Sequence, residues 1–280
     1  MLWTSIWIVV LAIGAMGLFV TVQSARFQRR VAHDARALWA AQTAGPGERL
    51  PLDALPSPVR RYLERSGATR RAPVRSVRLR HGGTFRPTLD GPWSAIRAEQ
   101  YFSADPPGFV WWGRIRIAPG LWVEARDRSL AGEGNMLIKV ASTWAIGDAR
   151  GPELDQGALL RLLAEMAWFP TAFLDAHHVS WTPIDDASAR ATLRVGGREV
   201  SAVFQFGPEG LPSGVTGERY RDVGGKGVLT PWSGEFRDYR EVDGLLVPFQ
   251  SDVSWKLNGK TQPYARWVFE QVEYDRPEPY

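Results

Sequence analysis

An arginine and a glutamate four residues apart, Arg161 and Glu165, are the pair whose types and spacing best suit chemistry in this sequence. Residues at this spacing share one face of a helix, where an ordinary ion pair contributes about 0.2–0.5 kcal/mol. If the pair instead projects into a cavity, the buried carboxylate needs a polar partner and becomes available as an acid, a base or a ligand contact. The candidate partners on later segments are Arg219, Tyr220, Arg237 and Tyr239.

Histidine and cysteine offer little chemistry. The chain has no cysteine, which excludes disulfide scaffolds, cysteine-ligated metals and thiol nucleophiles. His177 and His178 are adjacent, so in an extended chain their side chains point to opposite faces and are poorly placed to share a metal. The sequence also has no phosphate-binding loop, serine-hydrolase elbow, zinc-protease motif or dinucleotide fingerprint. We therefore predict no metal site and no cofactor. We interpret His177 and His178 as partly buried, hydrogen-bonded structural groups, with one of them acting as a base near Glu165 as the alternative.

Tryptophan is unusually frequent, with 13 in 280 residues. Filling of the core is one interpretation. The other is a site for an apolar ligand, because buried indole N–H groups need acceptors and aromatic side chains suit the lining of a concave sheet. The predicted ligand-binding set combines both kinds of residue and consists of Arg161, Glu165, Trp168, Arg219, Tyr220, Trp232 and Tyr239.

Hydrophobic residues alternate with a period of two from Val74 onward, which is typical of half-buried strands. Two-residue turn signals at Gly196-Gly197, Asp243-Gly244 and Asn258-Gly259 separate such runs with the spacing of tight hairpins. The pattern predicts an antiparallel meander of about a dozen strands.

One segment, residues 155–169, breaks the meander with apolar residues at helical spacing. We expect Asp155 to be its N-cap and Pro170 to end it. Only Arg161 and Glu165 form a polar stripe, so this helix is expected to be largely buried. Because a long sheet must curl or be covered, we predict a mainly β fold: a strongly curved antiparallel meander, or half-barrel, wrapped on one central helix.

The N-terminal segment is predicted to be a transmembrane helix. Residues 3–22 carry no charge and are long enough to cross about 30 Å of hydrocarbon as a helix. A cleavable signal peptide is the competing interpretation, but no basic residue precedes the run. Helical composition continues to Gln42, and a Gly/Pro linker follows at 43–51. The predicted domains are a transmembrane anchor at 1–24, a juxtamembrane helix and linker at 25–50, and a curved β-sheet domain at 51–280.

Charge is divided unevenly along the chain. The first hundred residues carry 15 Lys and Arg against 6 Asp and Glu, and the remainder carries 19 against 24. A basic segment beside an apolar one suits anionic lipid head groups, and in the absence of any nucleic-acid-binding signature we expect no nucleic-acid partner. Because arginines follow the apolar run, the positive-inside rule predicts a single-pass protein of the cell membrane with a cytoplasmic C-terminal domain. A periplasmic domain is the alternative.

Two motifs carry a family resemblance. Trp168-Phe169-Pro170-Thr171, and Arg219-Tyr220 followed by Pro231-Trp232-Ser233-Gly234, resemble a bacterial family of membrane-tethered proteins of unknown function over roughly residues 51–275. The predicted architecture is also similar to the half-barrel of the LolA/LolB lipoprotein carriers. That likeness implies an acyl chain sheltered in the concavity of the sheet, and it transfers no catalytic residue.

Three functions are compatible with these features. The first is a non-enzymatic, membrane-tethered domain that binds an apolar or amphipathic, lipid-like molecule. The second is a hydrolase or isomerase that uses Glu165 with a histidine or tyrosine in the same cavity. The third is a structural module without a ligand. We favour the first, since no catalytic motif accompanies Glu165.

Overall fold

The computed structural model describes residues 2–42 and 47–280, and within them it contains one antiparallel sheet and three α-helices. The predicted linker at 43–51 lies partly outside the described residues. Three short 3-10 segments accompany the helices at Leu52–Ala54, Met166–Trp168 and Pro170–Leu174. The helices are α1 (Leu2–Ala40), α2 (Ser57–Arg65) and α3 (Pro152–Glu165).

The sheet has 13 strands in the order β6-β5-β4-β3-β2-β1-β13-β12-β11-β10-β9-β8-β7. It curls around α3, which connects the two edge strands β6 and β7. The prediction of a mainly β half-barrel on a central helix is therefore confirmed. The strands are β1 (Ser76–Phe85), β2 (Ser94–Ala104), β3 (Pro107–Ala118), β4 (Leu121–Leu130), β5 (Glu133–Val140), β6 (Trp144–Ala149), β7 (Val179–Asp185), β8 (Ser188–Val195), β9 (Arg198–Phe206), β10 (Pro212–Val223), β11 (Lys226–Val242), β12 (Leu245–Leu257) and β13 (Lys260–Tyr274).

Tight turns set the register of the hairpins. The three predicted two-residue turns join β8 to β9, β11 to β12 and β12 to β13. Their central residues have positive φ, for example 46° at Asp243 and 81° at Gly244. Such angles suit Asn, Asp and Gly and match the right-handed twist of the paired strands. These short turns are why the hairpin partners could be predicted from the sequence.

Helix α3 is enclosed because its residues from Gly157 onward are apolar except for Arg161 and Glu165. Several of its leucines, among them Leu159 and Leu163, are completely buried against the sheet. The prediction that Asp155 caps this helix is wrong: the helix begins at Pro152, because proline fits the first turn without loss of a hydrogen bond. The Asp155 carboxylate instead accepts a hydrogen bond from the backbone N–H of Gly134 at 2.7 Å and pairs with Arg198.

Helix α1 is continuous over 39 residues and has two different halves. Its N-terminal half is apolar and exposed, and by length and composition the helix could cross a membrane. Its C-terminal half lies on the convex face of the sheet, where the side chains of Val31 and Ala35 are buried together with Val110 and Trp112. The helical continuation to about Gln42 is thus present, and it rests on the sheet. The domain boundaries at residues 24 and 50 stay predictions.

Candidate ligand-binding cavity

A cavity of about 710 Å³ lies between α3 and the concave face of the sheet. Apolar and aromatic side chains form most of its walls, and a few polar groups project from α3 and from β4, β10 and β13. The principal lining residues are Phe85, Ile96, Trp111, Ile115, Ile117, Val123, Asp127, Met136, Ile138, Ile146, Arg161, Glu165, Trp168, Arg219, Trp232, Phe236, Val253, Tyr264 and Trp267.

Arg161 and Glu165 on the floor of this cavity form a hydrogen-bonded ring with two strand residues, Asp127, which also lines the cavity, and Gln100, which lies behind it. Arg161 Nε donates to Glu165 Oε1 at 2.8 Å, and Arg161 Nη1 donates to Asp127 Oδ2 at 2.9 Å. Gln100 on β2 closes the ring, since its Nε2 donates to Glu165 Oε2 at 2.6 Å and its Oε1 accepts from Arg161 at 3.3 Å. The guanidinium also lies over the ring of Trp111. The guanidinium of Arg161 therefore pairs with two carboxylates, those of Glu165 and Asp127.

Burial governs the electrostatics of this ring. Burial raises the pKa of Glu165 above its ordinary value, although Arg161 and Gln100 act in the opposite direction. Burial alone would lower the pKa of Arg161, but Glu165 and Asp127 raise it above the usual value. Because two carboxylates share one arginine, the ring holds surplus negative charge when both are ionised, and the charge of Asp127 adds to the effect of burial in raising the pKa of Glu165.

The partners of Glu165 differ from those expected. Its polar partners among the described residues are Arg161 and Gln100, and the four candidates Arg219, Tyr220, Arg237 and Tyr239, which lie on β10 and β11, form no hydrogen bond or ion pair with it. The face of α3 that carries Glu165 is turned toward the other half of the sheet, where Gln100 and Asp127 are located. Both residues occupy inward-facing positions of their strands: Gln100 lies between Ala98 and Phe102, and Asp127 follows Val123 and Ala125 on the same face. A polar residue at such a position was the sequence signal that could have identified them.

A second polar group lies on the opposite wall. Arg219 on β10 donates from Nε to the backbone oxygen of Gly157 at 3.1 Å and from Nη1 to Tyr264 Oη at 3.3 Å. Trp232 Nε1 donates to the same phenolic oxygen at 3.0 Å. Tyr264 is stacked on Trp255, which fixes its ring. Tyr264 was not anticipated from the sequence.

Five of the seven residues predicted to bind a ligand line the cavity: Arg161, Glu165, Trp168, Arg219 and Trp232. Their binding role stays a prediction. Trp168 also has a structural role, since its Nε1 donates to the backbone oxygen of Pro248 at 2.8 Å.

The remaining two predicted residues are placed elsewhere. Tyr220 follows Arg219 directly, so the alternation of the strand turns its side chain to the outer face, where it is exposed. Tyr239 is directed into the packed core, and its hydroxyl donates to the backbone oxygen of Pro212 at 2.8 Å.

The histidines have structural hydrogen bonds. His178 contacts the backbone oxygen of Arg194 and the carboxylate of Asp105, away from the cavity. His81 is buried behind the cavity wall, where its Nε2 accepts a hydrogen bond from Trp111 Nε1 at 3.0 Å. Burial lowers the pKa of His81 to about 3, and the positive charge of Arg161 adds to this effect. Across the described ranges, no three His, Asp or Glu side chains are grouped to hold a metal ion.

Comparison with known proteins identifies a family by sequence. The model of a family of unknown function, DUF6544, matches residues 48–267, which is well over half of the chain. This agrees with the resemblance inferred from the Trp-Phe-Pro-Thr and Pro-Trp-Ser-Gly motifs. A search of curated proteins found no match.

Solved structures with a similar architecture have low sequence identity. A putative outer membrane lipoprotein-sorting protein domain from Vibrio parahaemolyticus is 10% identical, with a TM-score of 0.37, covering 78% of this chain and 93% of its own. A DUF1329 family protein from Desulfovibrio piger ATCC 29098 is 12% identical, with a TM-score of 0.44 and coverages of 79% and 94%. A LolA superfamily protein from Nitrosomonas europaea is 10% identical, with a TM-score of 0.36 and coverages of 75% and 90%.

Proposed function

The chain belongs to the DUF6544 family of unknown function, and we propose that it is a membrane-tethered domain that binds an apolar or amphipathic, lipid-like molecule without transforming it. The observation that carries this proposal is the cavity of about 710 Å³, whose walls are mainly hydrophobic and aromatic. Sites for small molecules typically have volumes of roughly 300–1,000 Å³, apolar walls and a few placed polar groups. Hydrocarbon buried there gains roughly 25 cal/mol per Å² removed from water.

The direction of α1 supports a membrane location for the cavity. Ser24 of α1 accepts a hydrogen bond from Arg114, near the end of β3, at 2.7 Å. Further along the same helix, Trp39 donates to the backbone oxygen of Phe102 at the opposite end of the sheet. The exposed apolar half of α1 therefore extends beyond the hairpin that joins β3 to β4.

The cavity opens at this same end of the sheet. Ile117 and Ile146 line the cavity and are nevertheless 56% and 63% exposed, so they form part of its rim. Leu121 and Trp144, on the adjoining hairpins β3–β4 and β5–β6, are also exposed. Exposed apolar groups beside an apolar helix suit the surface of a bilayer. This arrangement supports exchange of the ligand directly with membrane lipid.

The apolar helix serves as a single-pass anchor in this proposal, and the domain lies in the cytoplasm. The arginines that follow the apolar segment, such as Arg26, Arg29 and Arg30, favour retention on the cytoplasmic side. Anionic lipid head groups are the natural partners of these residues.

Mass spectrometry of the full-length protein, purified in a mild detergent, tests ligand binding. We expect a lipid or acyl chain to remain bound to the wild type and to be lost from Val253→Trp, which fills the cavity from β12. Val268→Trp is the matched control, because Val268 is exposed on the outer face of the neighbouring strand β13. Equal lipid content in all three proteins, or none in the wild type, would contradict the proposal.

A hydrolase or isomerase that uses Glu165 is the second candidate function. It is favoured by the raised pKa of this carboxyl group, which lies in the cavity wall. Both carboxylate oxygens already accept hydrogen bonds, however, from Arg161 and Gln100. Among the cavity-lining residues of the described chain, Tyr264 is the tyrosine available as a second group, and none is a histidine.

A further inference from the structure

The wall of the cavity formed by β10 and β13 has more hydrogen-bond donors than acceptors. Arg219 uses two of its five N–H groups, and it forms no ion pair with a carboxylate among the described residues. Tyr264 Oη accepts hydrogen bonds from both Arg219 and Trp232, while its own hydroxyl proton has no acceptor among the residues that the structure describes. Arg219 and Trp232 therefore converge on Tyr264 Oη, and the donors left over at this position are the Tyr264 hydroxyl and the remaining N–H groups of Arg219.

Arg221 adds a second cation on the same face of β10. It lies two residues beyond Arg219, so strand alternation directs both side chains to the same side. Its Nε is buried without a hydrogen-bond partner, and no ion pair involves this arginine among the described residues. A buried donor without a partner is costly and is rarely left so in a native protein.

A glycine on α3, Gly157, provides the space that the Arg219 side chain occupies. The guanidinium of Arg219 lies across α3 at Gly157, and a Cβ added to that glycine would be 3.3 Å from Arg219 Nε. The arginine is held against the helix by the backbone oxygen of Gly157. Its remaining N–H groups stay available for the cavity that it lines.

We propose that Arg219 and Tyr264, which line the cavity, bind the anionic head group of the ligand, with the positive charge of Arg221 two residues further along β10, so that the cavity is selective for acidic amphipaths with a carboxylate or phosphate group. This inference rests on the proposed function and specifies its ligand class. The head group receives charge-assisted hydrogen bonds from Arg219 and a hydrogen bond from the Tyr264 hydroxyl. The hydrocarbon tail then lies along the apolar walls formed by β2–β5.

The test compares a charged ligand with its uncharged ester. The full-length protein is reconstituted in lipid nanodiscs, and binding of parinaric acid and of its methyl ester is followed by energy transfer from the cavity tryptophans. The partitioning of each ligand into the disc lipid is the same for every variant. A difference between variants in the ratio of acid affinity to ester affinity therefore reports on the protein. Lysophosphatidic acid and lysophosphatidylcholine, used as competitors, distinguish a phosphate head group from a carboxylate.

We expect Arg219→Gln to lower the preference for the acid by about tenfold, the usual effect of losing a charged hydrogen-bond partner. Binding of the ester should be unchanged, and Arg219→Lys should retain most of the preference. Arg190→Gln is the control, since Arg190 is an exposed arginine on β8 without an ion pair among the described residues. If Arg219→Gln weakens acid and ester equally, or leaves the preference unaltered, the head-group site is wrong while the cavity proposal stands. If neither ligand binds the wild type, both proposals fail.

Discussion

The guanidinium of Arg126 on β4 donates to Asp34 Oδ2 on α1 at 2.5 Å, which joins two residues 92 positions apart across the interface between the helix and the sheet. The Arg126 side chain is completely buried, and Asn135 accepts a second hydrogen bond from it. Burial lowers the pKa of this arginine, whereas Asp34 favours its charged form. The C-terminal half of α1 is therefore bound to the sheet by a buried ion pair, and its removal would leave a buried cation unpaired.

Asp34→Ala should destabilise the protein by about 3–5 kcal/mol, because it removes the partner of a buried charge. Denaturant unfolding of the full-length protein in mild detergent measures the effect. Glu199→Ala is the control, since Glu199 forms an ion pair with Arg194 in which both side chains are exposed, and such pairs contribute about 0–1 kcal/mol. A wild-type midpoint for Asp34→Ala would show that α1 is not integral to the domain.

Substitutions of Glu165 distinguish a buried hydrogen-bonded ring from an ordinary surface ion pair. Glu165→Ala leaves Gln100 Nε2 and Arg161 Nε without their acceptor and should cost about 1–3 kcal/mol. Glu165→Gln keeps the shape and part of the hydrogen bonding, so it should cost less. Glu235→Ala, which removes an exposed ion pair with Arg237, should stay within about 0.5 kcal/mol of the wild type. Turnover of a substrate that disappears in a normally folded Glu165→Gln protein would instead favour the enzymatic candidate.

Acid should destabilise the fold through His81. In the native state its pKa is about 3, against 6.5 for an unperturbed histidine, so the unfolded chain takes up the proton first. The stabilising contribution of neutral His81 is present above about pH 6.5 and is lost as the pH falls toward 3, at up to about 1.4 kcal/mol per pH unit.

The unfolding free energies at pH 7 and pH 5 measure this contribution. His81→Gln keeps an acceptor for Trp111 and should lose about 2 kcal/mol less than the wild type over this interval. His177→Gln controls for the loss of a histidine elsewhere and should behave as the wild type does. Identical pH dependence in all three proteins would mean that His81 is not held neutral by the fold.

The parts of the fold that depend on neighbours in sequence were predictable, and those that depend on distant pairing were not. Alternation and Gly-containing turns specify hairpins directly, and the apolar composition of 155–169 indicates a central helix. The contact of Gln100 with Glu165 joins positions 65 residues apart. It depends on which half of the curled sheet faces which side of α3, and local sequence does not encode that choice.

The alternation of side chains between the two faces of a strand would have improved the predicted set of ligand-binding residues. Arg219 and Tyr220 are adjacent on one strand, so only one of them can face the cavity. In the structure Arg219 faces the cavity and contacts Gly157, whereas Tyr220 is exposed on the outer face of the sheet. Tyr239 illustrates a different difficulty, because an aromatic residue in the core and one in a cavity wall have the same pattern in a sequence.

The side of the membrane is tested with a reporter fused after Tyr280. The arginine bias predicts a cytoplasmic reporter and retention of the full-length protein in the membrane fraction after a carbonate wash. An active periplasmic reporter would reverse the orientation. A soluble form that begins near Ala25 would identify the apolar segment as a cleaved signal.

Photochemical cross-linking tests the central claim, that the cavity holds a lipid-like molecule, most directly. The full-length protein in nanodiscs is exposed to a fatty acid that carries a diazirine at the end of its chain, irradiated, and mapped by peptide mass spectrometry. We predict adducts on cavity-facing residues such as Ile138, Trp111 and Phe236, and their loss in Val253→Trp but not in Val268→Trp. Adducts confined to α1 and the outer face of the sheet, unchanged by Val253→Trp, would contradict the account.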